Sequence, residues 1–147
     1  MALSLTEIKL TITANKVIAI DTNVLVYLHD ELDSTKREKA KRLLANNPHI
    51  SSQVISEYLN TTRRLLNISK DELLAQTSAL LSDCTILPIS ADTLFFASAL
   101  IKQYKFQLFD AVIVAAAIEG KCDTLYFEDM HHGLVVNKSL TILNPFL

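Results

Sequence analysis

The feature that most limits the possible folds is a short apolar run that ends in an acid, Val17-Ile18-Ala19-Ile20 followed by Asp21. A continuous apolar run of this length is typical of a strand buried on both faces, as in a parallel sheet. In open α/β sheets, ligands bind in the crevice outside the carboxyl ends of the strands, where Asp21 would lie. Two roles remain open for Asp21, because an acid at this point can also cap the helix that follows.

The size and composition of the chain indicate one domain with a full-sized core. The chain has 147 residues, of which 50% are hydrophobic, and it contains only two glycines and three prolines. Those low counts favour regular elements joined by short connections and argue against disorder. The formal net charge of −2 excludes a protein that binds nucleic acid by bulk positive charge.

The cysteines and the longest apolar runs indicate the cellular compartment of the protein. Cys84 and Cys122 are far apart in the chain and lack the CxxC spacing of metal or redox sites, so we expect free thiols. No apolar run approaches the roughly 18 residues that a membrane helix needs. The sequence therefore predicts a cytoplasmic protein that does not act on a membrane.

The rest of the chain alternates between strand and helix patterns, which predicts an α/β domain with a mainly parallel sheet. Helix caps are expected at Thr35, at Ser51 or Ser52, at Ser69 and at Ser90. Pro88 indicates that the strand at 85–89 ends or lies at an edge. Further strands are expected at 48–51, 125–127 and 141–143. The run that follows Asp110, residues 111–118, is apolar on all sides and predicts a buried helix that ends at Gly120.

Four acids occupy comparable points of this pattern. Asp21 and Asp129 each follow a short strand, whereas Glu57 and Asp110 lie at or near the start of a helix. Strand carboxyl ends and helix amino ends share one rim of a parallel α/β sheet, so the four acids can meet in one crevice. Clustered carboxylates raise one another's pKa, and a hard divalent cation, Mg²⁺ or Mn²⁺, would compensate their charge. Such an ion activates water and stabilises in-line attack on phosphorus.

The chain lacks the sequence motifs of other phosphate-binding sites and of other hydrolases. With two glycines the sequence has no glycine-rich phosphate loop, and it has no GxSxG nucleophile elbow. Asp21-Thr22-Asn23 also fails the Asp-x-Asp pattern of a haloacid-dehalogenase-type phosphatase. The acids therefore remain the leading candidates for chemistry.

Several stretches, taken in order, resemble the PIN-domain proteins of the VapC ribonuclease-toxin type. These stretches are VIAIDTNVLVYL (17–28), SSQVISEYLN (51–60), DAVIVAAAIEG (110–120), LYFEDMHHG (125–133) and the ending NPF (144–146). The resemblance implies a PIN domain over residues 17–147, a three-layer fold with a mainly parallel central sheet flanked by helices. Residues 1–16 lie outside the pattern, and the alternation within 8–12 leaves an edge strand, a partner-binding arm or a tail open.

The resemblance also implies an activity and a site. It implies a Mg²⁺- or Mn²⁺-dependent endoribonuclease, and it matches the catalytic and metal-binding acids to Asp21, Glu57, Asp110 and Asp129. Asp129 is preferred to Glu128, because alternation along a strand points neighbouring side chains in opposite directions. Thr22 and Asn23 match the polar residues that line the pocket of the family and orient its first acid.

The partners implied by the resemblance are an RNA substrate, a second copy of the chain and a small VapB-like antitoxin. The C-terminal tail of that antitoxin would enter the acidic groove, where an arginine can pair with the carboxylates. The chain would then be the toxin of a type II toxin–antitoxin pair. Two alternatives remain open: a non-catalytic PIN-like module whose acidic groove binds a protein partner, and a housekeeping RNA-processing nuclease.

Three groups of basic or titratable residues have less defined roles. Arg63 and Arg64 either hold RNA phosphates or form a cation pair that suits the end of their helix. His131 and His132 follow Asp129, and they either face solvent or contact phosphate or metal. The basic residues from Lys36 to Arg42 line one helix face, for which solvation is expected and contact with RNA is the alternative.

Overall fold

A computed structural model of the chain describes residues 16–147. The strand expected within residues 3–12 lies outside the described residues, as do residues 1–15 of the N-terminal segment. None of the helices that the structure describes is both long and apolar enough to cross a membrane.

The described residues form an α/β fold of six helices and one six-stranded sheet. The strands are β1 (Ile18–Ile20), β2 (His49–Ser51), β3 (Thr85–Leu87), β4 (Thr124–Tyr126), β5 (Val135–Val136) and β6 (Leu140–Leu143). The helices are α1 (Thr22–Val26), α2 (Ser34–Ala45), α3 (Ser52–Leu66), α4 (Lys70–Leu80), α5 (Ala91–Tyr104) and α6 (Leu108–Glu119), with a 3₁₀ turn at Tyr27–His29. The predicted three-layer fold, in which helices flank a mainly parallel central sheet, is confirmed.

The sheet has the strand order β3-β2-β1-β4-β6-β5, and only β5 runs antiparallel to its neighbour. The first strand therefore lies inside the sheet, between β2 and β4, as its apolar sequence predicts. β3 lies at an edge, as Pro88 indicates. After β1 the chain continues to β2 on one side of it, and it later returns to β4 on the other side. Ligands bind at such reversals of strand order in α/β sheets, so a crevice is expected beside β1.

The core is built around β1, β4 and α6. Residues 111–117 of α6 are all buried, which confirms the helix predicted from an all-apolar run. Ile20 and Leu125 from the two central strands are no more than 1% exposed. The packing of α6 matters for function, because it fixes the position of Asp110 in the first turn of this helix.

Two local predictions were wrong or incomplete. Helix α2 begins at Ser34, and its cap is Asp33 rather than Thr35, since the Asp33 side chain accepts a hydrogen bond from the Lys36 backbone N–H at 3.0 Å. Strand β5 was not predicted. It has only two residues and pairs with β6 through a turn in which Asn137 and Lys138 both have positive φ, without the glycine that usually signals such a turn.

The cap of α5 offers a test of the local structure. Ser90 Oγ accepts a hydrogen bond from the Thr93 N–H, and Thr93 Oγ1 accepts one from the Ser90 N–H. We expect Ser90→Ala to lower the free energy of unfolding by about 1 kcal/mol in urea denaturation. Ser98→Ala, at an exposed position inside the same helix, is the control and should be neutral or slightly stabilising. Equal effects of the two substitutions would contradict the capping role.

Candidate active site

A cleft of about 510 Å³ opens at the carboxyl ends of β1 and β4. Its lining consists of four acids, five neutral polar residues and one phenylalanine. These are Asp21, Glu57, Asp110 and Asp129; Thr22, Asn23, Asn60, Thr61 and Gln107; and Phe127. The structure thus brings together all four of the acids that the sequence indicates, along with Thr22 and Asn23.

Asp21 is the most deeply buried acid of the cleft, with 4% of its surface exposed. Its backbone N–H donates a hydrogen bond to the Tyr126 carbonyl oxygen at 3.0 Å, which fixes the end of β1 against β4. Asp21 occupies the position before α1, yet its side chain makes no capping hydrogen bond. The sequence left two roles open for Asp21; its carboxylate lines the cleft and forms no capping hydrogen bond.

The surroundings of Asp21 disfavour its charged form. Burial, followed by the charges of Glu57 and Asp110, raises the pKa of Asp21 from 3.8 to about 7, although the nearby backbone N–H groups of Thr22 and Asn23 counteract part of this rise. Isolated buried carboxylates are costly, and proteins compensate them with a paired charge, a hydrogen bond or a metal. The surroundings of Asp21 would therefore suit a bound cation.

Glu57 is held by two side chains. Its Oε2 accepts a hydrogen bond from Thr22 Oγ1 at 2.5 Å, and its Oε1 accepts one from Gln53 Nε2 at 3.1 Å. It projects from the second turn of α3, a helix capped by the Ser51 hydroxyl. Both oxygens are thereby oriented before any ligand binds. Gln53 was not singled out from the sequence, although its spacing of four residues from Glu57 within a helix is a recognisable signal.

Asp110 lies half-buried in the first turn of α6 and lines the cleft together with Glu57. Burial raises the pKa of Asp110 above its usual range, and the charges of Glu57 and then Asp129 raise it further. Glu57 and Asp129 thus add to the effect of burial in disfavouring the charged form of Asp110. A cation bound between them would lower both their repulsion and the cost of burial.

Asp129 and Glu128 face different surroundings. Asp129 Oδ2 accepts a hydrogen bond from Asn23 Nδ2 at 2.9 Å and lines the cleft. Glu128 does not line it; its Oε1 accepts a hydrogen bond from the Tyr27 hydroxyl at 2.8 Å and lies 3.4 Å from Lys36 Nζ. The structure thus places Asp129, and not its neighbour, among the other acids. Lys36, expected to be solvated with the rest of its helix face, is instead paired.

The remaining candidate residues lie outside the cleft. Arg63 and Arg64 are exposed on the last turn of α3 and do not line it. His131 is exposed, and His132 Nδ1 accepts a hydrogen bond from the Asn144 N–H at 2.9 Å. Conversely, Asn60, Thr61 and Gln107 line the cleft but were not predicted, because nothing in their local sequence distinguishes them from ordinary surface residues.

The donor set of the cleft suits a hard divalent cation. No group of three or more His, Cys, Asp or Glu side chains among residues 16–147 is arranged to enclose a metal. Mg²⁺ typically binds through one or two carboxylates and keeps several waters, and Mn²⁺ accepts the same oxygen ligands. Asp21 and Asp110 suit this role, since burial and, to a smaller extent, the charges of neighbouring acids raise the pKa of each carboxyl.

Comparison with known families decides the classification. Residues 18–133 match the model of the PIN domain. The chain belongs to the PIN domain family. This match covers the region from β1 to the loop after β4, and with it every residue that lines the cleft. No curated protein sequence matches the chain.

Solved structures of toxins and toxin–antitoxin complexes share the fold. A toxin–antitoxin complex from Klebsiella pneumoniae has 23% identity and a TM-score of 0.66, and the alignment covers 88% of this chain and 97% of that one. VapC20 of Mycobacterium tuberculosis, a toxin that cleaves the sarcin–ricin loop, has 21% identity and a TM-score of 0.61 over 76% and 89%. VapBC2 of Rickettsia felis, bound to promoter DNA, has 20% identity and a TM-score of 0.61 over 87% and 99%.

Proposed function

We propose that this PIN domain is a Mg²⁺- or Mn²⁺-dependent endoribonuclease, with Asp21, Glu57, Asp110 and Asp129 as its catalytic and metal-binding acids. One observation carries the proposal. Asp21 is buried beside other acids in a cleft whose lining contains no lysine or arginine among the described residues. Such a cleft repels a phosphodiester until a cation is bound, and it has the oxygen ligands that such a cation needs.

The acids and several neutral polar side chains of the cleft then have separate tasks. When bound, a divalent ion supplies positive charge for the phosphodiester and activates water for in-line attack. Asp21 and Asp110 would hold the ion from the buried side. Glu57, oriented by Thr22 and Gln53, would accept a hydrogen bond from the attacking water, and Asp129 would complete the open rim. Asn60, Thr61 and Gln107 would position the nucleic acid through neutral hydrogen bonds.

The biological role we propose is that of a toxin controlled by a small VapB-like antitoxin. The similarity in fold to proteins of toxin–antitoxin complexes supports this role. An arginine from the antitoxin would find its partners among the cleft acids. Residues 17–147 would form the PIN domain and 1–16 an extension, and the free thiols of Cys84 and Cys122 suit a reducing cytoplasm.

We also propose that the toxin is a homodimer. Leu94 and Phe95 of α5 are 54% and 77% exposed. Large exposed apolar side chains often mark a protein interface. Their position on α5 makes this helix a candidate for contact with a second copy. Arg63 and Arg64, which lie outside the cleft, are proposed to contact RNA phosphates beyond the scissile bond.

Cleavage of RNA under metal control tests the proposed activity. Purified protein should cleave single-stranded RNA in Mg²⁺ or Mn²⁺, and an excess of EDTA should stop the reaction. The products should carry 5′-phosphate and 3′-hydroxyl ends, because activated water attacks phosphorus and the 3′ oxygen leaves. Cleavage that continues unchanged in EDTA would contradict the proposal.

A thermal melt with Mn²⁺ separates the nuclease from a non-catalytic acidic socket for a protein. A ligand that binds only the native state raises the melting temperature. At a free ligand concentration of 100 times the dissociation constant, the native state is stabilised by about 2.7 kcal/mol. We expect such a rise with Mn²⁺ for the wild type. A protein socket without a metal role would show no rise, and the carboxylates would then serve the partner alone.

A further inference from the structure

The loop that carries Asp129 is held by contacts that the proposed chemistry does not use. Lys36 Nζ lies 3.4 Å from Glu128 Oε1 and 3.1 Å from the Tyr27 hydroxyl oxygen. It also lies over two aromatic rings, 4.5 Å from the centroid of Tyr27 and 5.3 Å from that of Phe146. Ion pairing and cation–π attraction thus act on the same ammonium group, and they connect the first turn of α2 to the loop after β4.

Asn144, which follows β6, contacts the same loop. Its Nδ2 donates a hydrogen bond to the Glu128 carbonyl oxygen at 3.2 Å, and its Oδ1 accepts one from the Phe146 N–H at 2.9 Å. The Phe146 ring packs edge-on against Tyr27, with centroids 4.9 Å apart. Glu128 is therefore fixed through its side chain and its backbone.

Asp129, the next residue, has far weaker support of its own. It is exposed, and the structure gives its side chain one hydrogen bond, from Asn23. A single exposed hydrogen bond contributes little to ordering a side chain. The position of the Asp129 backbone is therefore set mainly by the anchored residue before it.

We propose that Lys36 is a positioning residue, which acts through Glu128 to hold Asp129 at the rim of the cleft. Lys36 does not line the cleft. The inference rests on the proposed function for its effect on metal binding, because residues that orient metal ligands influence affinity without touching the metal. Its effect on the loop itself does not depend on that function.

The chain offers a matched control on the same helix. Lys41 pairs with Glu38 at 3.3 Å, but both side chains are more than half exposed, whereas those of Lys36 and Glu128 are 30% and 20% exposed. Methionine retains the alkyl stem of lysine and removes its charge and donors. Lys36→Met and Lys41→Met therefore make the same chemical change to two ion pairs, only one of which contacts the loop.

The first experiment measures hydrogen exchange of the full-length protein in EDTA. We expect Lys36→Met to speed exchange at least about threefold in the segment 127–134, where the amides of Phe127 and Leu134 are hydrogen-bonded. Lys41→Met should leave that segment as in the wild type. Unchanged exchange in Lys36→Met, or equal changes in both variants, would overturn the inference whether or not the protein is a nuclease.

The second experiment titrates the same proteins with Mn²⁺ and follows the melting temperature. Lys36→Met should weaken Mn²⁺ binding about tenfold, which is the lower end of the effect expected for a residue that orients a ligand. Lys36→Arg should restore it to within about twofold, because arginine keeps the charge and stacks on aromatic rings. Lys41→Met should bind as the wild type does.

The two experiments fail in different ways. If exchange responds to Lys36→Met and the wild type binds Mn²⁺, but the affinity of Lys36→Met is unchanged, the link from Lys36 to Asp129 is overturned. If exchange responds as expected and the wild type binds no Mn²⁺, the loop anchor is supported and the proposed metal-dependent function fails.

Discussion

Asp110→Asn is expected to lower metal-supported RNA cleavage at least about 100-fold. Loss of a residue that only orients a metal ligand costs about 10- to 100-fold in metal affinity or activity, so loss of a proposed ligand should cost no less. The amide keeps the size of the side chain and removes its charge. The measurement is the initial rate of cleavage at saturating Mn²⁺, together with the Mn²⁺ concentration that gives half of the maximal rate.

Asp92→Asn is the matched control for this substitution. Asp92 and Asp110 both lie in the first turn of a helix, so that both substitutions remove a favourable interaction with a helix dipole. Only Asp110 lines the cleft. The Asp92 variant should keep the activity of the wild type, and an Asp110 variant that does the same would refute the assignment.

Asp21→Asn is expected to stabilise the metal-free protein while it abolishes cleavage. The folded protein holds Asp21 at a pKa of about 7, against 3.8 as its ordinary value. Above about pH 7 the folded state therefore carries a charge that burial disfavours, at a cost on the order of 4 kcal/mol. Asparagine removes this cost, so the variant should need more urea to unfold in EDTA at about pH 8.

The dependence on pH follows with a definite sign. Between about pH 4 and pH 7 the folded state binds more protons than the unfolded state, because its Asp21 pKa is the higher one. The free energy of unfolding of the metal-free wild type should therefore fall as the pH rises through this window, and level off above it. Asp110, whose pKa is also raised, acts in the same direction. A wild type that loses no more stability than Asp21→Asn between about pH 5 and pH 8 would contradict this account.

Much of the fold could be predicted because its signals are local. The apolar run before Asp21, the all-apolar stretch after Asp110 and the serine caps each determine their elements within a few residues. Strand β5 escaped prediction because two residues are too few for a periodic pattern, and its pairing depends on β6. The exposure of Leu94 and Phe95 could not be predicted, since hydrophobicity alone does not indicate which helix face the rest of the domain covers.

The residues of the site likewise fall into those that local sequence signals reveal and those that they do not. The four acids could be found from their places after strands and in early helical turns, because the topology of a parallel sheet brings those places together. The partners that orient the acids mostly could not. Lys36 and Glu128 are 92 positions apart in the chain, and their contact arises only from the way α2 packs near the loop after β4. Gln53 is the exception, since its i, i+4 relation to Glu57 is visible locally.

A lining without lysine or arginine among the described residues has a consequence for how ligands influence each other. If a bound cation raises the affinity of the cleft for a phosphodiester, then bound RNA must raise the affinity for the cation by the same factor, since coupling free energies are reciprocal. The apparent metal affinity of the enzyme is then a property of the substrate as well as of the protein. Wherever free metal is scarce, RNA that fills the cleft would itself recruit the ion needed to cut it.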